Sequence, residues 1–140
     1  MTWVDKYVGI PFKDGGRSWH GLDCWGLVRL VYETECGILL PTYGEISAAE
    51  LNKVAHEIAA DSSREPWHPV QDPQLFDVAV MHRLKAPVHV GVVAALDPVR
   101  LLHIERATHA VFIHVTHPSV SFRRVAYFRY QRQNAAVCSG

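Results

Sequence analysis

A cysteine with the surroundings of a nucleophile lies at position 24, in the stretch GLDCWGLVRL that begins at Gly21. It directly follows Asp23, a good helix N-cap residue, so the thiol is expected in the first turn of a helix. Unsatisfied backbone N–H groups and the positive end of the helix dipole both favour a thiolate there. Gly21 and Gly26 leave room for a substrate beside the sulfur. The pattern predicts a reactive thiol with a lowered pKa, although a lone helix cysteine is more often a small core residue.

Two histidines in the second half of the chain suit the roles of a base and of a group that orients the base. His89 lies in HVGVV and His103 in LLHIE, two runs that are predicted as consecutive strands. In a strand that alternates between faces, His89 and Gly91 share one face, and the glycine keeps that face open. The intervening chain is long enough to turn and come back alongside, so we expect His103 next to His89.

The elements that must position these residues follow from hydrophobic periodicity. Apolar side chains at helical spacing predict a helix over 24–35, which Gly37 ends. Ser47 and Glu50 form a capping-box signature ahead of a second helix, AAELNKVAHEIAA. The segment 61–74 holds three prolines and is predicted as a loop.

Short β-branched or aromatic runs dominate the second half of the chain: LFDVAVMH, PVHVGVVAAL, RLLHIERA, AVFIHVT and RRVAYFRY. Turn-like breaks separate them, which predicts an antiparallel meander. Helices first and strands afterwards indicate an α+β fold, with N-terminal helices packed on an antiparallel β-sheet. We predict one catalytic domain over residues 1–130 and a flexible C-terminal tail over 131–140.

Composition limits the classes of partner. The 140 residues are 49% apolar and 20% charged, and 14 basic side chains balance 14 acidic ones. This balance is not that of a protein that binds nucleic acid or an anionic membrane. The longest nearly apolar run, at 88–96, is too short to span a membrane, and the N-terminus lacks the pattern of a signal peptide. We therefore expect no nucleic-acid partner, no membrane insertion and synthesis in the cytoplasm.

The cysteine block and the two histidine strands together resemble the NlpC/P60 peptidases, which are papain-like cysteine hydrolases of bacterial cell walls. The resemblance rests on YVGIPFKDGGRSWHGLDCWGLVRLVY at 7–32, on HVGVV at 89–93 and on His103. It implies a papain-like fold and a triad in which Cys24 attacks an amide carbonyl, His89 transfers the proton and His103 orients His89. The implied oxyanion donor is the backbone N–H of Cys24. The implied substrates are peptidoglycan peptide stems, typically the bond between D-glutamate and a diamino acid.

Two positions stand out within the resemblance. Trp25, where most members carry serine, resembles the phage tail-tip branch, which implies phage tail proteins as partners and delivery to the cell wall in a virion tail. Phe12 lies twelve residues before the nucleophile, where the family commonly has a tyrosine whose hydroxyl helps at the oxyanion. Either Tyr7 or a loop amide compensates, or activity is reduced.

The candidate substrate-binding residues surround the nucleophile: Trp25, Asp23, Trp19, His20 and Phe12. The two tryptophans could wall a substrate groove, although aromatic side chains are at least as often simple core. His20 could line the cleft, although a loop histidine is more often solvated.

Metal binding and cofactors are not expected. The fragments HVTH at 114–117 and HIE at 103–105 resemble parts of metal sites. In a strand, however, side chains three residues apart point to opposite faces, and no second ligand group accompanies HIE. Three cysteines without a C-x-x-C spacing also argue against a zinc knuckle and a disulfide scaffold.

Three functions stay open at this stage. The first is an active cysteine endopeptidase or amidase on peptidoglycan stems. The second is a structural tail or envelope component that keeps the fold and has lost the chemistry, as Phe12 suggests. The third is a papain-like amidase or acyltransferase on a non-wall substrate. The intact set of Cys24, His89 and His103 favours the first.

Overall fold

A computed structural model of the chain describes residues 2–40, 67–83, 86–121 and 124–130. The N-terminal part is mainly helical and contains a small hairpin. Its elements are a 3-10 helix at Trp3–Lys6, strands β1 (Arg17–Ser18) and β2 (Gly21–Leu22), helix α1 (Cys24–Val31) and a π-helix at Tyr32–Cys36.

The remaining elements are mostly strands of one sheet. They are β3 (Trp67–Val70), β4 (Val78–Arg83), β5 (Ala86–Ala95), β6 (Arg100–His103), β7 (Val111–His114), the short helix α2 (Pro118–Ser121) and β8 (Arg124–Tyr130). The five strands expected from the apolar runs are confirmed as β4 to β8, because β-branched residues suit a half-buried pleated surface. The expected α+β fold is confirmed.

Helix α1 begins where the sequence predicts it. The Asp23 side chain accepts a hydrogen bond of 2.7 Å from the Gly26 N–H, which satisfies one of the donors that a helix N-terminus leaves open. Gly37 ends the helical segment in a left-handed conformation, with φ 68°. Between these points the helix differs from the prediction, because its last turns, Tyr32–Cys36, are π-helical.

The strand order in the sheet is β3-β8-β4-β5-β6-β7, and every neighbouring pair is antiparallel. Strands β4 to β7 form the expected meander, but β8 returns to lie between β3 and β4. The prediction of a loop over 61–74 is wrong for Trp67–Val70, which form edge strand β3. Trp67 is 1% exposed and packs edge-on against Tyr130 of β8. An edge position also tolerates the proline of this strand.

The main core lies between α1 and the sheet. Leu27, Val28 and Val31 of the helix belong to the same buried cluster as Val90 and Val92 of β5. A second, smaller cluster contains Ala79, Met81, Val93 and Leu101. The alternation expected along β5 is thus observed, and the sheet has apolar side chains on both faces.

Two predictions concern parts of the chain outside the described residues: the second helix, AAELNKVAHEIAA, and the flexible tail over 131–140. In the described part of the chain, no helix combines the length and the apolar character needed to cross a membrane.

Candidate active site

A buried polar anchor holds the residue before the cysteine. The Gly16 carbonyl accepts hydrogen bonds from the Asp23 N–H at 3.3 Å and from Arg17 Nη1 at 2.8 Å. Arg17 Nη1 also lies 2.6 Å from Asp23 Oδ1, in an ion pair whose carboxylate is fully buried. Helix residue Gly26 packs on the same carbonyl, since a Cβ there would lie only 2.1 Å from the Gly16 oxygen. These contacts fix the start of α1 against the β1–β2 hairpin.

The Cys24 side chain is a free thiol with no exposed surface. Burial raises the pKa of Cys24 to about 12. Backbone hydrogen bonds to Val90 and Trp25, together with Arg17, act in the opposite direction, whereas the Asp23 charge raises the pKa further. The expected lowered pKa is therefore corrected: desolvation outweighs the donors at the helix N-terminus, and the resting thiol is neutral.

The two histidines expected side by side are in contact. His89 Nε2 lies 2.9 Å from His103 Nδ1, and the two rings meet edge to face. Gly91 allows this approach, because a Cβ there would lie 2.9 Å from the His103 Cβ. Both rings are buried, with 5% and 1% exposure. The backbone hydrogen bond between Cys24 and Val90 places the thiol against the strand residue that follows His89.

A carboxylate completes this group of polar side chains. Glu105 Oε1 lies 4.0 Å from His103 Nδ1, and its side chain is one-third exposed. The donor atoms of His89, His103 and Glu105 lie within 4.8 Å of one another, the spacing of a potential metal site. However, the 2.9 Å between the two ring nitrogens is a hydrogen bond and is shorter than the separation of about 3.3 Å between ligands of a tetrahedral zinc. The geometry of the two rings is therefore that of a hydrogen-bonded pair and does not fit two ligands of one tetrahedral zinc.

Comparison with known proteins identifies the family of the chain. A sequence model of the NlpC/P60 family matches residues 9–135. The chain belongs to the NlpC/P60 family. Its structure is similar to that of the NlpC/P60 domain of the peptidoglycan hydrolase SagA, with a TM-score of 0.58, 19% identity, and coverage of 89% of this chain and 91% of that one. At this identity the structural similarity concerns the fold.

A curated relative shares a shorter segment. The gamma-DL-glutamyl hydrolase of Bacillus subtilis (strain 168) is 42% identical over 53 residues, which are 37% of this chain. The match spans only 13% of the length of that relative. Both of these relatives are hydrolases by name.

The residues expected to contact substrate separate into two groups in this NlpC/P60 domain. Trp25 and Asp23 have no exposed surface. Trp25 is a core residue and Asp23 is the helix cap, so neither forms a groove wall here. Trp19 is 43% exposed and stacks on Tyr7 at 5.1 Å between ring centroids, and His20 is exposed as well. Phe12 is half-buried against the main core.

Tyr7 is committed to a structural contact. Its hydroxyl donates a hydrogen bond of 2.7 Å to Glu35 Oε2, and Lys6 Nζ lies 2.7 Å from the same oxygen. Burial is the main cause of its raised pKa, and the hydrogen bond to Glu35 adds to the rise. This network ties the 3-10 helix to the π-helix, so Tyr7 does not serve as the oxyanion donor in this structure.

Sequence reasoning missed two residues of the site. Arg17 lies in the glycine-rich loop, and no local pattern links it to Asp23. Glu105 had a detectable signal, since it lies two residues after His103 and extended chain places such residues on one face. In the sequence, Glu105 appears only as the last residue of the metal-like fragment HIE.

Proposed function

We propose that this NlpC/P60 domain is a cysteine hydrolase that cleaves amide bonds in peptidoglycan peptide stems. Cys24 is the nucleophile, His89 the general base and His103 the residue that orients His89. The observation that carries the proposal is the 2.9 Å contact between His89 Nε2 and His103 Nδ1, next to the strand residue that bonds Cys24. Two buried imidazoles are costly in a plain core, which favours a chemical role.

The proposed reaction moves one proton at a time. Because Nε2 of His89 contacts His103, we assign the proton transfer to Nδ1. The neutral Cys24 thiol gives its proton to this nitrogen as the sulfur attacks the amide carbon. The Cys24 N–H, in the first turn of α1, stabilises the oxyanion. His89 then protonates the leaving amine, and water hydrolyses the thioester.

The proposed bond is a γ-linkage of glutamate, between D-glutamate and a diamino acid. Both the resemblance stated above and the name of the curated relative, a gamma-DL-glutamyl hydrolase, support a γ-glutamyl substrate. A pair of synthetic stem peptides, one γ-linked and one α-linked at D-glutamate, tests this choice. We expect cleavage of the γ-linked peptide only, and equal cleavage of both would contradict it.

Digestion of purified peptidoglycan, followed by mass analysis of the released muropeptides, tests the reaction. Cys24→Ala, His89→Ala and His103→Ala should each release no product above background. His117→Asn is the matched control, because His117 is an exposed histidine whose Nδ1 is hydrogen-bonded to nearby Ser119, to its hydroxyl and its backbone N–H. Products that persist in Cys24→Ala, or no product from walls of several bacterial types, would contradict the proposal. The second result would favour a structural component with the same fold.

We further propose that the domain works in a phage or phage-like tail that carries it to the wall. Trp25 supports this setting through the resemblance to the tail-tip branch. Mass spectrometry of purified particles tests it: the protein should be present in stoichiometric amounts, and its consistent absence would contradict the setting without affecting the chemistry.

A further inference from the structure

The carboxylate of Glu105 lies near the histidine pair and is partly exposed to solvent. Glu105 follows β6 by two residues, and its Oε1 lies 4.0 Å from His103 Nδ1. The same nitrogen contacts His89 Nε2 at 2.9 Å. One carboxylate thus approaches the hydrogen bond that joins the two rings. The His103 side chain is 1% exposed, whereas the Glu105 side chain is one-third exposed.

The proposed proton transfer leaves a positive charge on the histidine pair, which a nearby carboxylate would stabilise. If His89 accepts the Cys24 proton at Nδ1, its Nε2 must already carry hydrogen and donate it to His103 Nδ1. His103 is then neutral and carries its hydrogen on Nε2. After the transfer His89 is a buried cation, and a neutral imidazole offers it only a dipole. A buried cation without a nearby negative charge is unfavourable.

Among the residues that the structure describes, the charges on the elements packed against the pair have other partners. On the nucleophile side, Asp23 is paired with Arg17, so the two charges largely cancel. On β4, the residue paired with His89 in the sheet is the uncharged Met81. In the described part of the chain, Glu105 is the only carboxylate in the group that contains both rings.

We infer that Glu105 is a positioning residue that stabilises the imidazolium form of the His89–His103 pair while Cys24 is deprotonated. The inference rests on the proposed function of this site. Glu105 keeps its own charge throughout: the proton passes from sulfur to His89 and then to the leaving amine, and Glu105 neither gains nor loses one. Its effect is larger here than in a site with a preformed thiolate, because the resting thiol is neutral.

Three variants isolate the charge. Glu105→Gln removes it at constant size, Glu105→Asp keeps it on a shorter side chain, and Glu33→Gln is the control, since Glu33 is an exposed glutamate of the π-helix. With a stem peptide as substrate, Glu105→Gln should lower kcat about fivefold, with KM changed less than about twofold. The acidic limb of the pH profile should move to lower pH, because the cationic pair loses a stabilising charge. Glu105→Asp should recover part of the loss.

A second measurement needs no turnover. The ring nitrogens of both histidines are titrated by NMR in a Cys24→Ala background, with and without Glu105→Gln. We expect the titration midpoint of the two histidines to fall by at least about half a pH unit without the carboxylate. Unchanged midpoints and unchanged kcat would overturn it, as would a loss of kcat in Glu105→Gln that Glu105→Asp shares in full. If the midpoint falls but no variant, including the unmodified protein, cleaves stems, the proposed function fails and the electrostatic coupling stands.

Discussion

The two sides of the candidate site are built differently. On the nucleophile side, Asp23 and Cys24 are fully buried, and backbone groups of the loop and helix hold them in place. On the base side, His89 and His103 contact each other through their side chains, and Glu105 extends the series toward solvent. The first arrangement fixes the position of the nucleophile. The second brings a carboxylate close to the pair of imidazoles.

Because of this difference, an added methyl group should have a different effect on each side of the site. Backbone contacts on the nucleophile side allow no rearrangement, so a small added group must displace a whole segment. On the base side an added Cβ at Gly91 would meet its nearest atom at 2.9 Å, against 2.1 Å at Gly26, so a similar change there should cost less stability and act more on turnover.

Gly26→Ala should be the most damaging change. Its Cβ would lie 2.1 Å from the Gly16 carbonyl oxygen, which also accepts hydrogen bonds from Asp23 and Arg17. We expect the free energy of unfolding to fall by about 3 kcal/mol, measured by urea denaturation, together with loss of turnover. Gly37→Ala is the control, since it meets no atom within 4 Å and pays only for its φ of 68°. Equal losses in the two variants would refute the steric explanation.

Arg17→Gln should come second, because it leaves a fully buried Asp23 carboxylate without its cation. We expect a loss of about 2 kcal/mol, below the usual value for a fully buried pair because the Arg17 side chain is 21% exposed. The double variant with Asp23→Asn should be more stable than the sum of the single effects, since no buried charge then remains unpaired. Additive single effects would show that the ion pair does not link these residues.

Gly91→Ala tests the base side with the same chemical change as Gly26→Ala. A Cβ at this position would lie 2.9 Å from the His103 Cβ, 3.1 Å from the Leu102 carbonyl oxygen and 3.3 Å from Met81 Cε. Because these contacts are less severe than the 2.1 Å at Gly26 and a small shift of the neighbouring strand relieves them, we expect a stability loss of only about 1 kcal/mol but a fall in kcat of about tenfold, as His103 moves away from His89. Stem-peptide kinetics and thermal unfolding measure the two effects. Full turnover in this variant would mean that the contact between the histidines is not needed.

Alkaline pH probes the desolvation of the thiol. Since burial raises the pKa of Cys24 to about 12, the stability that comes from keeping the thiol neutral is complete below its ordinary pKa and is lost as the pH rises from about 8.5 toward 12. The stability difference between the unmodified protein and Cys24→Ala should shift by about 1.4 kcal/mol per pH unit above pH 8.5, against the unmodified protein. Urea denaturation at pH 8, 9 and 10 measures it, and a constant difference would argue for a low thiol pKa.

Tyr7→Phe should have the smallest effect. The hydroxyl donates to Glu35, which keeps its contact with Lys6, so we expect a loss of about 1 kcal/mol of stability and unchanged turnover. Thermal unfolding and stem-peptide kinetics give the two values. A large loss of turnover at unchanged stability would return Tyr7 to the reaction as the donor that compensates for Phe12.

Features that depend on neighbouring residues, such as helix ends and strand positions, could be predicted from the sequence. Asp23 before Cys24 specifies the start of α1, Gly37 specifies its end, and alternation along the apolar runs specifies the strands that carry His89 and His103. These features depend on capping, backbone conformation and side-chain period, which neighbouring residues decide. For the same reason, the pairing of the two histidines could be expected from their spacing and from Gly91.

Features that depend on burial or on contacts between distant parts of the chain became visible only in the tertiary structure. Segment 67–70 became a strand because β8 offered it a partner, and Trp25 became core because it joins the main buried cluster. The pKa of Cys24 changed direction relative to the expectation because desolvation depends on everything packed around the sulfur, whereas the helix terminus is a local feature. The places of Arg17 and Glu105 likewise follow from folding, since a charge finds its partner through space and not through sequence spacing.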